Sequence, residues 1–69
     1  MLMVPVRSTN IRSAGYSAAS RTLEIVFRSG GRYQYFGVPD LFFERLIKAK
    51  SAGRFFHDNI KDRFKWRRL

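Results

Sequence analysis

Cysteine is absent from this 69-residue chain, and with it go disulfide staples and thiolate metal sites. Histidine occurs once, as His57, so no imidazole cluster can hold a metal. Asp58 and Asp62 raise the nearby set to three ligands, and Arg54, Lys61, Arg63 and Lys65 around them oppose a bound cation. Neither metal nor cofactor is expected. No apolar run approaches the roughly 18 residues of a membrane span. The apolar opening, Met1 to Val6, is too short for a signal-peptide core and has no cationic stretch before it. The expectation is a cytoplasmic protein that does not engage membranes. Acidic residues are scarce as well: five Asp and Glu stand against fourteen Lys and Arg, a formal charge of +9 on 8.1 kDa. A positive field of that size favours polyanions, nucleic acid first, although arginine-rich usage can also serve solubility.

A chain this short makes one domain and buries only about 60% of the surface its unfolded form exposes. Its seven Phe, three Tyr and one Trp supply much of that burial. The clearest element is Thr22 to Pro39. Leu23, Ile25 and Phe27 alternate with Thr22, Glu24 and Val26; after Arg28-Ser29-Gly30-Gly31, Tyr33 and Tyr35 alternate with Arg32, Gln34 and Phe36. This is a β-hairpin with one apolar face, and its two glycines meet the turn's demand for positive φ.

Upstream, Val4-Pro5-Val6 reads as an extended lead-in, an edge strand at best. Asn10 to Tyr16 reads as a strand, but Ile11 and Tyr16 share a face only if a bulge intervenes, expected at Ala14-Gly15. Downstream, Pro39 and Asp40 open a helix whose stripe is Val38, Phe42, Leu46 and Ala49, widened by Phe43 and Ile47, with Leu41 partly exposed. Ser51 caps a second helix with Phe56, Ile60 and Phe64 on its core face, and Gly53 lets the two helices approach closely. The fold class is therefore α+β: a small antiparallel meander of three to four strands followed by two helices on one face of the sheet.

Catalysis has little to draw on. His57 and Asp58 are adjacent, and adjacent helical side chains point about 100° apart, which excludes an orienting hydrogen bond of the triad type. No cysteine serves as nucleophile, and Ser51 is accounted for as a cap. The chain is expected not to be an enzyme. Tyr33 and Tyr35 resemble a base-stacking platform, but their register with Leu23, Ile25 and Phe27 assigns them to the core. The binding expectation instead falls on residues 61–69, a basic tail in which Trp66 stands among Lys61, Arg63, Lys65, Arg67 and Arg68. If the second helix ran on, Arg54, Asp58, Lys61, Lys65 and Arg68 would form one stripe. Arg32 is a further candidate. Phosphate neutralisation by the cations and stacking on Trp66 would bind nucleic acid with steep salt dependence and little sequence specificity.

The order Ser8-x-Asn10-Ile11, Gly15-Tyr16, Leu23-x-Ile25-x-Phe27, Gly31, Tyr33-x-Tyr35, Val38-Pro39 and Ala49-x-Ser51-x-Gly53-x-Phe55-Phe56, with Ile60, resembles the KTSC domain family. These short domains stand alone in bacterial and phage proteins or are joined to the carboxyl end of some lysyl-tRNA synthetases. The resemblance implies no catalytic residue, suggests RNA binding, and makes Tyr33 and Tyr35 a family motif of structural kind. Ser17 and His57 depart from it, where Asp and Asn are common, and the tail beyond Phe64 lies outside it. Taken together, the expectation is a monomeric or weakly dimeric module that binds RNA, structured or tRNA-like, in preference to DNA. The competing classes are a protein-interaction module acting through an exposed strand near Val4 to Arg12 and a phage accessory factor.

Overall fold

The computed structural model describes residues 1–69. The hairpin forms as its alternation requires. β3 (Thr22–Phe27) and β4 (Arg32–Phe36) pair antiparallel with Leu23 opposite Tyr35 and Ile25 opposite Tyr33, so the apolar sets of both strands share one face. Leu23 and Ile25 are fully buried, and Tyr35 is nearly so. At the turn only Gly30 takes positive φ, at 104°. Gly31 does not, contrary to the sequence expectation; its carbonyl instead accepts the Phe27 N–H at 2.8 Å.

β1 (Met3–Pro5) and β2 (Ile11–Ser17) extend the sheet on one side. β1 is the edge strand anticipated around Pro5. The bulge lies at Arg12, not at Ala14-Gly15: Ile11 faces Phe27 while Ser13 faces Val26, so one extra residue falls between them. Either placement restores a common face, and here Ile11 and Ala14 are both fully buried.

Gly37, at φ 72°, turns the chain out of β4. Pro39 occupies the N-cap position of α1 (Asp40–Lys48), so the helix begins one residue later than expected, and Leu46 on its stripe is fully buried. Leu41 is exposed, as anticipated. Tyr16 stacks on Phe43 of α1 at 5.5 Å, and its hydroxyl donates to the Val38 carbonyl. α2 (Ala52–Asn59) is capped by the Ser51 hydroxyl, which accepts the Arg54 N–H at 3.3 Å. Phe56 meets Phe27 and Tyr35 edge-on, binding α2 to the same sheet face.

The sheet has five strands, not three or four. β5 (Trp66–Arg68) pairs antiparallel with β4, giving the order β1-β2-β3-β4-β5. The chain is thus α+β, with its core between the helices and one face of an antiparallel meander.

Candidate nucleic-acid interface

The site is set by how the chain leaves α2. The Phe56 carbonyl accepts both the Ile60 and Lys61 N–H groups, at 2.9 and 3.0 Å, and the Arg63 N–H donates to the Ile60 carbonyl at 3.1 Å. These bonds end the helix. Ile60 is fully buried and Phe64 meets Phe42 edge-on at 5.6 Å, so the core continues past the helix through a turn. The free edge of β4 then captures the tail: the Phe36 N–H donates to the Lys65 carbonyl at 2.9 Å and the Leu69 N–H to the Arg32 carbonyl at 2.8 Å.

This overturns the basic helical stripe. Arg54 is the only Lys or Arg within α2, and it pairs with Asp58 at 3.8 Å with both side chains exposed. In β5 strand alternation divides the cations. Trp66 and Arg68 stand opposite Tyr35 and Tyr33, on the face the helices cover, while Arg67 stands opposite Gln34. On that open face Arg67 donates to the Gln34 Oε1 at 3.3 Å and Gln34 donates to the Glu24 Oε1 at 3.1 Å. Arg32 lies 3.5 Å from the other Glu24 oxygen. Arg32 and Arg67 are therefore partners in a polar chain centred on Glu24, apart from the rest. Lys61, Arg63 and Lys65 are exposed along the turn and approach to β5.

Between β4–β5 and α2 lies a groove of about 610 Å³. Its aromatic floor includes Phe27, Tyr33, Tyr35 and Phe56, and its rim includes His57, Lys61, Asp62, Trp66 and Arg68. Trp66 is 55% exposed, tilted against Tyr33 with centroids 5.5 Å apart. It neither closes the core nor stands free. The Arg68 guanidinium sits 5.6 Å above the Tyr33 ring, a cation–π contact. Tyr35 is buried at 4% exposure, and its phenol is pushed up to about 12, first by burial and then by neighbouring Tyr33 and Asp62. Tyr35 is thus core, as its register implied; Tyr33 is only half-buried and forms part of the groove wall.

Two groove residues escaped the sequence reading. Asn10 reaches the rim because Ser8 folds the preceding turn: its hydroxyl donates to the Asn10 Oδ1 at 2.7 Å and accepts the Asn10 and Ile11 N–H groups. Gly53 serves this turn rather than the helix–helix approach, since a Cβ there would run into Asn10 Oδ1 and lie 2.9 Å from Ser8 Oγ. His57 is the other. Its Nδ1 lies 3.3 Å from the Asp58 Oδ1, so the adjacent pair does meet, contrary to expectation. Both side chains are largely exposed, and an ion pair so placed contributes little.

Residues 7–64 match the KTSC domain family. The chain belongs to that family. A protein of Tsukamurella paurometabola is 41% identical over 63 residues, spanning 91% of this chain and 94% of that one. A lysine–tRNA ligase of Trichormus variabilis is 41% identical over 59 residues, which is 86% of this chain and 10% of the ligase. The crystal structure of a KTSC domain protein from Yersinia pestis, 44% identical, matches with a TM-score of 0.94 over 99% of this chain and 96% of that one. The structural likeness therefore takes in β5, although the family match ends at Phe64. No helix of this KTSC domain is long and apolar enough to cross a membrane.

Proposed function

We propose that this KTSC domain is a non-catalytic RNA-binding module of the cytoplasm, acting through residues 61–68. The observation that carries the reading is the exposed run of Lys61, Arg63, Lys65 and Arg68 around a half-exposed Trp66, carried on the turn after α2 and on the edge strand β5 instead of on a loose tail. Cations at this density neutralise phosphates, and an indole beside them offers a stacking face that every base can use. The lysine–tRNA ligases support RNA over DNA, because there the same domain is part of a protein named for a tRNA substrate. Arg32, Arg54 and Arg67 contribute to the field at longer range, each having a protein partner already.

Anisotropy of a labelled tRNA tests the reading. Lys61→Gln, Arg63→Gln and Lys65→Gln together remove three exposed cations without touching the core, and tRNA affinity is expected to fall by at least tenfold at about 0.1 M salt. Unchanged affinity, or none in the native chain, would reject it. The protein-interaction alternative has one observation in its favour: β1 is an edge strand preceded by Leu2, which is 83% exposed. Pro5 lacks an N–H and blunts that edge.

A further inference from the structure

Asp62 is out of keeping with its surroundings. It is the one carboxylate between Lys61 and Trp66, yet it makes no ion pair with any cation around it. It lines the groove together with Lys61, Trp66 and Arg68. It also lies near enough to Tyr35 to help hold that phenol protonated. On a chain of net charge +9, a carboxylate left free at the rim of a basic groove weakens phosphate binding unless it meets a donor of the ligand.

The groove has the size of a small-molecule site, about 610 Å³ within the usual ~300–1,000 Å³, with an aromatic floor and a strongly polar rim suited to a polar ligand. Trp66 and Tyr33 touch each other, so a base does not enter between them; it stacks on the exposed side of the indole. Lys61 and Arg68 then supply cations for a phosphate, and Asp62 supplies an acceptor for hydroxyl groups. Base, phosphate and ribose hydroxyl together describe one ligand unit. The 2′-hydroxyl in particular is the group by which a protein tells RNA from DNA.

We propose that the groove is a subsite for a single unstacked ribonucleotide, with its base on Trp66, its phosphate between Lys61 and Arg68, and its 2′-hydroxyl donating to the Asp62 carboxylate. The subsite rests on the RNA-binding reading of this surface and adds to it the residue that selects ribose. A nucleotide within a single-stranded RNA and a free ribonucleoside monophosphate share the base, a phosphate and the 2′-hydroxyl there, the 3′-oxygen of the former being esterified.

The sole tryptophan makes the test direct, because its fluorescence reports on the groove and on the Asp62–Lys65 turn beside it. Native protein is titrated with AMP, dAMP, a tetra-adenylate RNA and its DNA counterpart, and Asp62→Ala is titrated in parallel. AMP is expected to quench Trp66 saturably and to bind at least fivefold more tightly than dAMP, with the same order for RNA over DNA. In Asp62→Ala both ratios are expected to approach one while affinity for the deoxy ligands is kept or increased. Asp62 is exposed in a turn, and an unchanged thermal midpoint confirms that the variant folds. Equal native affinity for AMP and dAMP overturns the proposal, as does discrimination that survives in Asp62→Ala. RNA binding without any AMP response up to 10 millimolar, taken as about the weakest affinity such a site can have, overturns the subsite and leaves the RNA-binding reading standing. Saturable, ribose-selective AMP binding without RNA binding supports the subsite and removes the broader reading.

Discussion

Tyr35 allows a prediction that joins the core to the groove. Its phenol is displaced from the ordinary 10.0 to about 12, chiefly because the ring is buried among Phe56, Leu23 and the strands around it. Burial favours the neutral phenol, so folding is supported fully below pH 10, where both states are protonated. As pH rises from 10 toward 12 the unfolded chain ionises first, and the folded state loses stability through that window. Two pH units at about 1.36 kcal/mol each set a ceiling of about 2.7 kcal/mol. Tyr35 borders the groove, so water screens it, and we expect a loss of about 1–2 kcal/mol. The assay is urea unfolding at pH 9, 10, 11 and about 11.5, native against Tyr35→Phe. The native midpoint should fall more steeply than that of Tyr35→Phe across this window, after both have paralleled each other below pH 10. Parallel decline throughout would refute the reasoning, for then the loss would not belong to Tyr35.

Other perturbations have simpler readouts. Leu46→Ala empties a fully buried position and should cost about 2–5 kcal/mol, a large share of the roughly 3–10 kcal/mol that a domain of this length possesses; thermal unfolding measures it. Gly37→Ala forces a Cβ into φ 72° with nothing nearby to clash, so the cost is conformational alone, about 1–2 kcal/mol, and Gly37→Asn should recover part of it. Arg54→Ala breaks only an exposed pair with Asp58 and should change stability by less than about 0.5 kcal/mol.

The hairpin was legible because two strands alternate in phase on either side of a glycine turn, which left one register that puts Leu23, Ile25, Tyr33 and Tyr35 on one face. The spacing of Ile11 and Tyr16 showed that a bulge exists but not where, since Arg12 and Ala14-Gly15 restore the face equally well. β5 was not legible at all. Three exposed residues carry no alternation, and their pairing partner is β4, whose free edge lies some thirty residues upstream. The same blindness produced the false helical stripe: Phe56, Ile60 and Phe64 keep a spacing of four, yet the last two are brought against the core by a turn and not by a helix. The cations named from the sequence are present, but alternation in β5 sends Arg67 to one face and Arg68 to the other. Asn10 and His57 reach the groove only through tertiary contacts, which local spacing cannot express.

The central claim is that this KTSC domain holds RNA by phosphate contacts from the turn and strand after α2. The salt dependence of tRNA affinity measures that most directly. If about four phosphates are neutralised, log K should fall with log salt at a slope of about −2.8 to −3.6, so that affinity drops on the order of fifty- to 150-fold between 50 and 200 mM. A slope near zero, or no binding at 50 mM, would contradict the account.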